Sequence, residues 1–270
     1  MKNLTPKNTS WLLVLMMLVF SCQKNEVELQ QKNEFSQIGL MHNQGLDYVF
    51  NYIKKNKGAA ILDKDNYISL AEVATKEFIN TTFIELTQAE LEIINSNIES
   101  VNKSLKKYTE ARIANGTELY QSVISEVENS LTQNQTSYLN ELFNIIINES
   151  GNIVTLQQNL ISLENRAFSL PTEDKQVILL AIAIARESCN YWNENFKLWQ
   201  NELGGSTGNA KTNSDFSWGI VAAGDVAAGV AVGIVTSTAL VVPFVGWGFW
   251  AAVTGGAAVI GSGVAAIAQL

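Results

Sequence analysis

The stretch from Val177 to Trp199 reads VILLAIAIARESCNYWNENFKLW and decides the fold class. Apolar side chains recur in it at spacings of four and three residues, the period of one face of an α-helix: Ile178, Ile182, Ala185, Cys189, Trp192, Phe196 and Trp199. The pattern predicts a helix over about 173–203, the longest in the chain. It places Cys189 on the buried side of that helix, where a free cysteine behaves as a small apolar residue.

Comparable stripes and boundary signals upstream predict an all-α protein. Lys54-Lys55-Asn56-Lys57-Gly58 ends one helix, with cations at its negative end and a glycine suited to a left-handed residue. Thr87-Gln88-Ala89-Glu90 is a capping box that begins another. We expect an antiparallel helical bundle of about five to seven helices over residues 36–203. The predicted helices lie at 38–54, after Ser69, from Thr87 onward, and at 119–131, 137–148, 153–167 and 173–203.

The start of the chain has the layout of an export signal. Lys2 and Lys7 precede the ten-residue apolar run Trp11–Phe20, which is too short to cross a bilayer, since a spanning helix takes about 20 residues. The run ends at Val19-Phe20-Ser21-Cys22, which resembles the lipobox of bacterial lipoproteins. The resemblance implies removal of residues 1–21, a diacylglycerol on the Cys22 thiol and an acyl chain such as palmitate on the new amino terminus, with no other cofactor. An ordinary signal peptide with an accidental cysteine is the alternative.

Residues 22–35 are predicted to be a polar tether. Gln23-Lys24-Asn25-Glu26-Val27-Glu28 resembles the export tag that follows the lipidated cysteine in surface lipoproteins of Bacteroidota, although Asn25 departs from its acidic pattern. The resemblance implies an outer-membrane lipoprotein displayed at the cell surface. A charged tether without an address is the alternative.

Charge and cysteine content restrict the possible partners. Removal of residues 1–21 leaves 16 basic against 26 acidic side chains. Nucleic acid is therefore excluded as an expected partner, since binding it relies on a basic face. Once Cys22 is lipidated, Cys189 is the remaining cysteine, so no disulfide can form within the chain.

A sharp change of composition follows Leu203. Residues 204–217 have linker composition, and residues 226–270 contain no charged side chain. Two apolar arms, about 218–242 and 248–268, flank a turn with Pro243 and Gly246, so residues 218–270 are predicted to form a hydrophobic helical hairpin. Each arm is long enough to cross a bilayer. Small residues recur at four-residue intervals and predict close packing of the two arms: Gly229, Gly233 and Ser237 on the first, and Ala257, Gly261 and Ala265 on the second.

This glycine- and alanine-rich hairpin resembles the hydrophobic hairpin of pore-forming colicins, and its small-residue pattern is similar to that of membrane-active bacteriocin peptides. The resemblance implies a lipid membrane as partner. Asp225, near one end of the first arm, would cost about 2.5 to 3.5 kcal/mol at the bilayer centre. The alternative is that the arms are protein core, or contact a protein partner or a second copy through residues 218–270.

Residues that could carry chemistry are few. Residues 61–72 can be aligned with a calcium loop, but Ile61 and Asn66 replace the first ligand and the glycine, so a turn with Ser69 capping the next helix is favoured. His42, the single histidine, is expected to be a packing or capping residue, because one histidine cannot build the usual zinc site. No phosphate-binding glycine motif occurs. We therefore expect neither a metal site nor an enzyme.

Three hypotheses of different classes follow. The preferred one is a lipid-anchored envelope protein whose bundle is a non-enzymatic binding or scaffolding module and whose hairpin associates with a membrane. The second is a pore-forming or bacteriocin-like effector, in which the bundle guards the hairpin until it meets a target membrane. The third is an envelope structural protein that oligomerises through the tail.

Overall fold

The structure is a computed structural model that describes residues 32–58, 62–96, 98–99, 125, 128–203, 218–239, 252–259, 261 and 266. The predicted all-α class is confirmed, since the secondary structure is helical and no strand occurs in these ranges. The described residues other than Lys32 belong to one compact unit, Asn33–Leu270. The predicted lipobox, residues 204–217, Pro243 and Gly246 lie outside the described residues.

The helices follow one another with short connections where the structure describes them. They are α1 (Ser36–Asn56), α2 (Lys64–Thr82), α3 (Gln133–Glu149), α4 (Ile153–Ala167), α5 (Thr172–Leu203) and α6 (Trp218–Ala239). Residues 88–96 and 252–259 are also helical, and Glu128–Ser130 forms a 3₁₀ turn.

Helix α5 is the centre of the bundle and packs against α1, α3, α4 and α6. Its predicted stripe is buried, with Phe196 partly so, which confirms both the helix and the core position of Cys189. Every residue from Val177 to Ala185 is buried, whatever its position around the helix. Because neighbours cover this half of α5 on several sides, its sequence there is apolar almost throughout.

Two predicted boundary signals are confirmed. Gly58 follows α1 with φ of +66°, a conformation that glycine adopts without steric cost. Thr87 and Glu90 form the capping box: the Thr87 amide donates to Glu90 Oε2 at 2.8 Å, and the Glu90 amide donates to Thr87 Oγ1 at 3.3 Å. Local hydrogen-bond chemistry therefore determines where these segments begin and end.

The predicted start of the second helix after Ser69 is wrong. The cap of α2 is Asp63, whose carboxylate accepts a hydrogen bond from the Asn66 amide at 2.8 Å. Ser69 lies inside α2 and donates its hydroxyl to the Asp65 carbonyl at 2.8 Å. Residues 64–72 are thus helical and do not form a calcium loop.

Helix α3 begins earlier than the predicted 137–148. Thr132 and Gln135 form a second capping box, which the sequence analysis missed. The predicted helix at 119–131 lies mostly outside the described residues. The interruption between the predicted helices 137–148 and 153–167 is confirmed, and Asn152 caps α4 by accepting a hydrogen bond from the Thr155 amide at 3.2 Å.

Candidate functional site at the junction of tail and body

The unusual feature of the molecule is where it keeps its apolar carboxy-terminal segment. We call helices α1–α5 the body, and the described part of residues 218–270 the tail. Every residue from Val221 to Val230 is buried, and so is every residue of 252–259. Helix α6 packs against α5 and α3. A helix that is apolar around its whole circumference needs cover on all sides, and the body supplies part of that cover.

Small residues bring the two tail segments together. A Cβ atom added at Gly261 would lie 2.7 Å from Ala228 Cβ and 3.0 Å from the Gly224 carbonyl oxygen. One added at Gly229 would lie 3.6 Å from Ala258 Cβ and 2.6 Å from Ile184 Cδ1 of α5. Of the other predicted packing residues, Ala257 is fully buried, Gly233 and Ser237 belong to α6, and Ala265 lies outside the described residues.

Asp225 is the one charged residue of the tail, and it is fully buried. Its Oδ2 atom accepts a hydrogen bond from the Ser188 hydroxyl, and a second from Trp192 Nε1 at 3.0 Å. Both donors belong to α5, one helical turn apart, so they face α6 from the same side. A buried carboxylate is tolerated only when donors or opposite charge surround it, and α5 supplies two donors.

His42 approaches the same carboxylate from α1. Its Nε2 atom lies 3.4 Å from Asp225 Oδ2, and both side chains are fully buried. The other ring nitrogen, Nδ1, lies 3.0 Å from Asn43 Oδ1, and Asn43 Nδ2 donates to the Glu187 carbonyl at 3.1 Å. Helices α1, α5 and α6 therefore meet at one carboxylate oxygen. Asp225 Oδ1 is buried without a hydrogen-bond partner among the described residues.

Nearby titratable groups show how apolar this junction is. Burial, together with the negative charge of Asp225, raises the pKa of the Cys189 thiol well above its ordinary value. Burial also raises the pKa of Glu187, while Arg186 and His42 act in the opposite direction. The thiol is therefore protonated at neutral pH and is a poor nucleophile there.

The arrangement of Ser188, His42 and Asp225 differs from that of a catalytic Ser-His-Asp triad. The Ser188 hydroxyl donates to Asp225 itself, whereas a Ser-His-Asp nucleophile donates to its histidine. The serine, the histidine and the aspartate are all fully buried, so bulk solvent does not reach them. In the part of the chain that the structure describes, no group of three or more His, Cys, Asp or Glu side chains could hold a metal ion.

The core positions of Cys189 and Trp192 were predicted from the sequence, but the burial of Asp225 and Ser188 and their hydrogen bond were not. His42 is a packing residue, as expected, yet its contact with Asp225 was missed. Asp225 was considered only for the free-energy cost of placing its side chain in a membrane. The signal that could have found the pair is chemical: a carboxylate in an apolar helix needs buried donors, and Trp192 lies on the core stripe of the longest helix, with Ser188 one helical turn before it.

Within the described residues, no helix combines the length and the apolar character that crossing a bilayer requires. Comparison with known protein families, with curated proteins and with solved structures finds no match to the chain.

Proposed function

We propose that the chain is a lipid-anchored, non-enzymatic envelope protein that stores a membrane-associating hairpin in the core of a helical bundle. The observation that carries the proposal is the burial of the tail. The sequence beyond Asp225 has no charged side chain to favour contact with water, and the body covers each residue from Val221 to Val230. Storage in the body keeps this apolar segment from aggregating.

The composition of the tail suits it to two environments. Glycine and alanine let α6 and residues 252–259 pack closely, as they do between helices in membranes. The same residues make the tail less apolar than a leucine-rich span, which is compatible with export through the translocon. The tail can therefore be core when the body covers it and an interfacial hairpin when a lipid surface is near.

The anchor at Cys22 would place the body next to a lipid surface. Its support is the sequence Val19-Phe20-Ser21-Cys22 after an apolar run. Replacement of Cys22 by alanine is expected to abolish labelling by a fatty-acid probe and to release the protein from the membrane fraction. Retained labelling would overturn the lipoprotein assignment.

Guarding of the hairpin by the body also favours the second hypothesis, a membrane-damaging effector. In an effector the apolar hairpin must stay covered until it reaches the target, and the described tail is covered in this way. Binding to vesicles without leakage supports the envelope protein, whereas release of an entrapped dye supports the effector.

A reversible disulfide between tail and body tests whether the tail has to leave the body to bind vesicles. A Cβ atom added at Gly219, near the start of α6, would lie 2.7 Å from Ser150 Cβ, just after α3. Disulfides need about 3.5 to 4.5 Å, so the two helix ends have to separate by about 1 Å. The test protein is residues 23–270, which lack both the apolar run of the signal and the anchor, with Ser150→Cys and Gly219→Cys. Cys189 is buried and stays reduced.

The oxidised and reduced forms of this protein are matched controls for each other. The reduced form is expected to bind vesicles of phosphatidylethanolamine and phosphatidylglycerol, and the oxidised form to remain in solution. Equal binding of both forms would show that the tail does not need to leave the body. If neither form binds, the tail is only core, and the membrane part of the proposal is wrong. Tail-dependent self-association with intact vesicles would instead support the structural protein.

A further inference from the structure

The structure assigns to Asp225 and its donors a function of their own: they form a latch that decides whether the tail stays in the body. The latch consists of Asp225 on α6, Ser188 and Trp192 on α5, and His42 on α1. This inference rests on the proposed function in one respect, since the destination of a released tail is taken to be a lipid surface.

The latch lies in a stretch of α6 that is otherwise apolar. From Val221 to Val230, Asp225 is the single residue with a polar side chain, and the rest of this stretch is Val, Ala and Gly. Apolar contacts hold a helix without preference for one partner, because burial against lipid or against protein removes the same surface from water. Asp225 distinguishes the two environments, because the donors exist only in the body.

The side chain of Asp225 is stabilised in the body and is unfavourable in a bilayer. In the body it has two hydrogen-bond donors and an imidazole within 3.4 Å. In a bilayer it would have none of these, and charged groups there are unfavourable. The latch is also incompletely satisfied, since Oδ1 is buried without a partner among the described residues. Such a site is well suited to hold α6 and still release it.

Variants on the body side test the latch without changing the tail. Ser188→Ala with Trp192→Phe removes both α5 donors and keeps the helix and the aromatic ring. Trp199→Phe is the matched control: it makes the same change of ring at a buried tryptophan of the same helix, whose Nε1 donates to the Tyr191 hydroxyl at 3.1 Å and not to Asp225. Amide hydrogen exchange is measured in peptides covering 218–230 and, as a reference, in peptides covering α4.

A latch predicts a selective effect. The double variant is expected to lower protection in 218–230 by about tenfold or more relative to α4, because a buried carboxyl group loses its donors. The control is expected to leave the ratio of amide protection in 218–230 to that in α4 unchanged. Asp225→Asn, which keeps an acceptor oxygen, is expected to give an intermediate loss. Equal loss of protection in 218–230 and α4 would mean that these residues stabilise the whole fold, and would overturn the latch.

Vesicle binding separates failure of the latch from failure of the proposed function. In residues 23–270, which lack the anchor, Asp225→Ala removes both the bonds in the body and the penalty in lipid, so binding to the same phospholipid vesicles should rise by at least tenfold over the unsubstituted 23–270 protein. If exchange in 218–230 rises but no variant binds vesicles, the latch holds and the membrane function is wrong. If vesicle binding is unaffected by every latch variant and exchange is unchanged, the latch itself is excluded.

Discussion

At the scale of single residues, the structure shows that burial at the junction is uneven. Asp225, His42 and Cys189 are fully buried, whereas Glu187, adjacent to Ser188 on α5, is half-buried. Helix α1 approaches α5 closely here, and a Cβ atom at Gly39 would lie 2.5 Å from the Ala183 carbonyl oxygen and 2.7 Å from Glu187 Cγ. The glycine is needed for this close approach, and the approach buries part of the Glu187 side chain.

Glu187 should make the stability of the protein depend on pH. Burial raises its pKa above the ordinary 4.5, so the folded state binds the proton more tightly than the unfolded state. The stability that this carboxyl contributes when protonated is lost as pH rises from 4.5 through the raised pKa. Glu187→Gln cannot ionise. Its free energy of unfolding, relative to that of the parent chain, should therefore be higher at pH 7 than at pH 4. Urea unfolding at both pH values measures the difference, and a difference that does not change with pH would contradict this prediction.

At the scale of elements, helix boundaries depended on signals that the sequence shows only in part. The capping box at Thr87 and Glu90 was recognisable because both side chains are typical of that motif. Asp63 was missed as a cap because the same residue also fits an acidic loop, and Thr132 was missed although Thr-x-x-Gln is also a capping-box pattern. Stripes of apolar residues predicted α1, α4 and α5 more reliably, because packing of a whole face fixes them.

The contact between the two tail segments gives a prediction at the same scale. Gly261→Ala places a Cβ atom 2.7 Å from Ala228 Cβ and 3.0 Å from a backbone oxygen, so the segments must move apart. Overpacking of this kind costs about 1 to 3 kcal/mol. Gly151→Ala is the control, since its Cβ atom would meet nothing within 4 Å and the residue is exposed.

Thermal or urea unfolding of the two glycine variants measures the effect. The Gly261 variant is expected to lose stability, and the Gly151 variant is expected to change it by less than about 0.5 kcal/mol. Equal stability of the two variants would show that the tail segments are not tightly packed.

At the scale of the whole molecule, the sequence predicted the parts better than their arrangement. The change of composition after Leu203 separates an amphipathic body from an apolar tail. The pattern of apolar residues does not say whether such a tail faces lipid, a second copy of the chain or its own body. The structure places the described tail in the core of the unit Asn33–Leu270. Convergence of Asp225, Ser188 and His42 depends on three helices meeting, which no sequence spacing records.

If the tail is core, it should remain bound after the chain is cut. A protease site inserted within residues 204–217 allows cleavage between body and tail without changing either. The buried valines at 221, 226 and 230 each contribute about 1.5 to 3 kcal/mol, so the tail fragment has enough apolar contact to stay. We expect both fragments to elute together in size-exclusion chromatography and to separate in urea. The uncut protein with the same insertion is the control.

The cut protein also tests storage against permanent burial. When phospholipid vesicles are added to the cleaved complex, a stored tail is expected to move to the vesicles and leave the body in solution, because cutting the chain removes its covalent link to α5. A tail that stays with the body at every vesicle concentration would contradict storage while agreeing with a core role. If the tail elutes apart from a folded body before vesicles are added, both the storage role and the core role are contradicted, since the body would then not need α6 to cover α5.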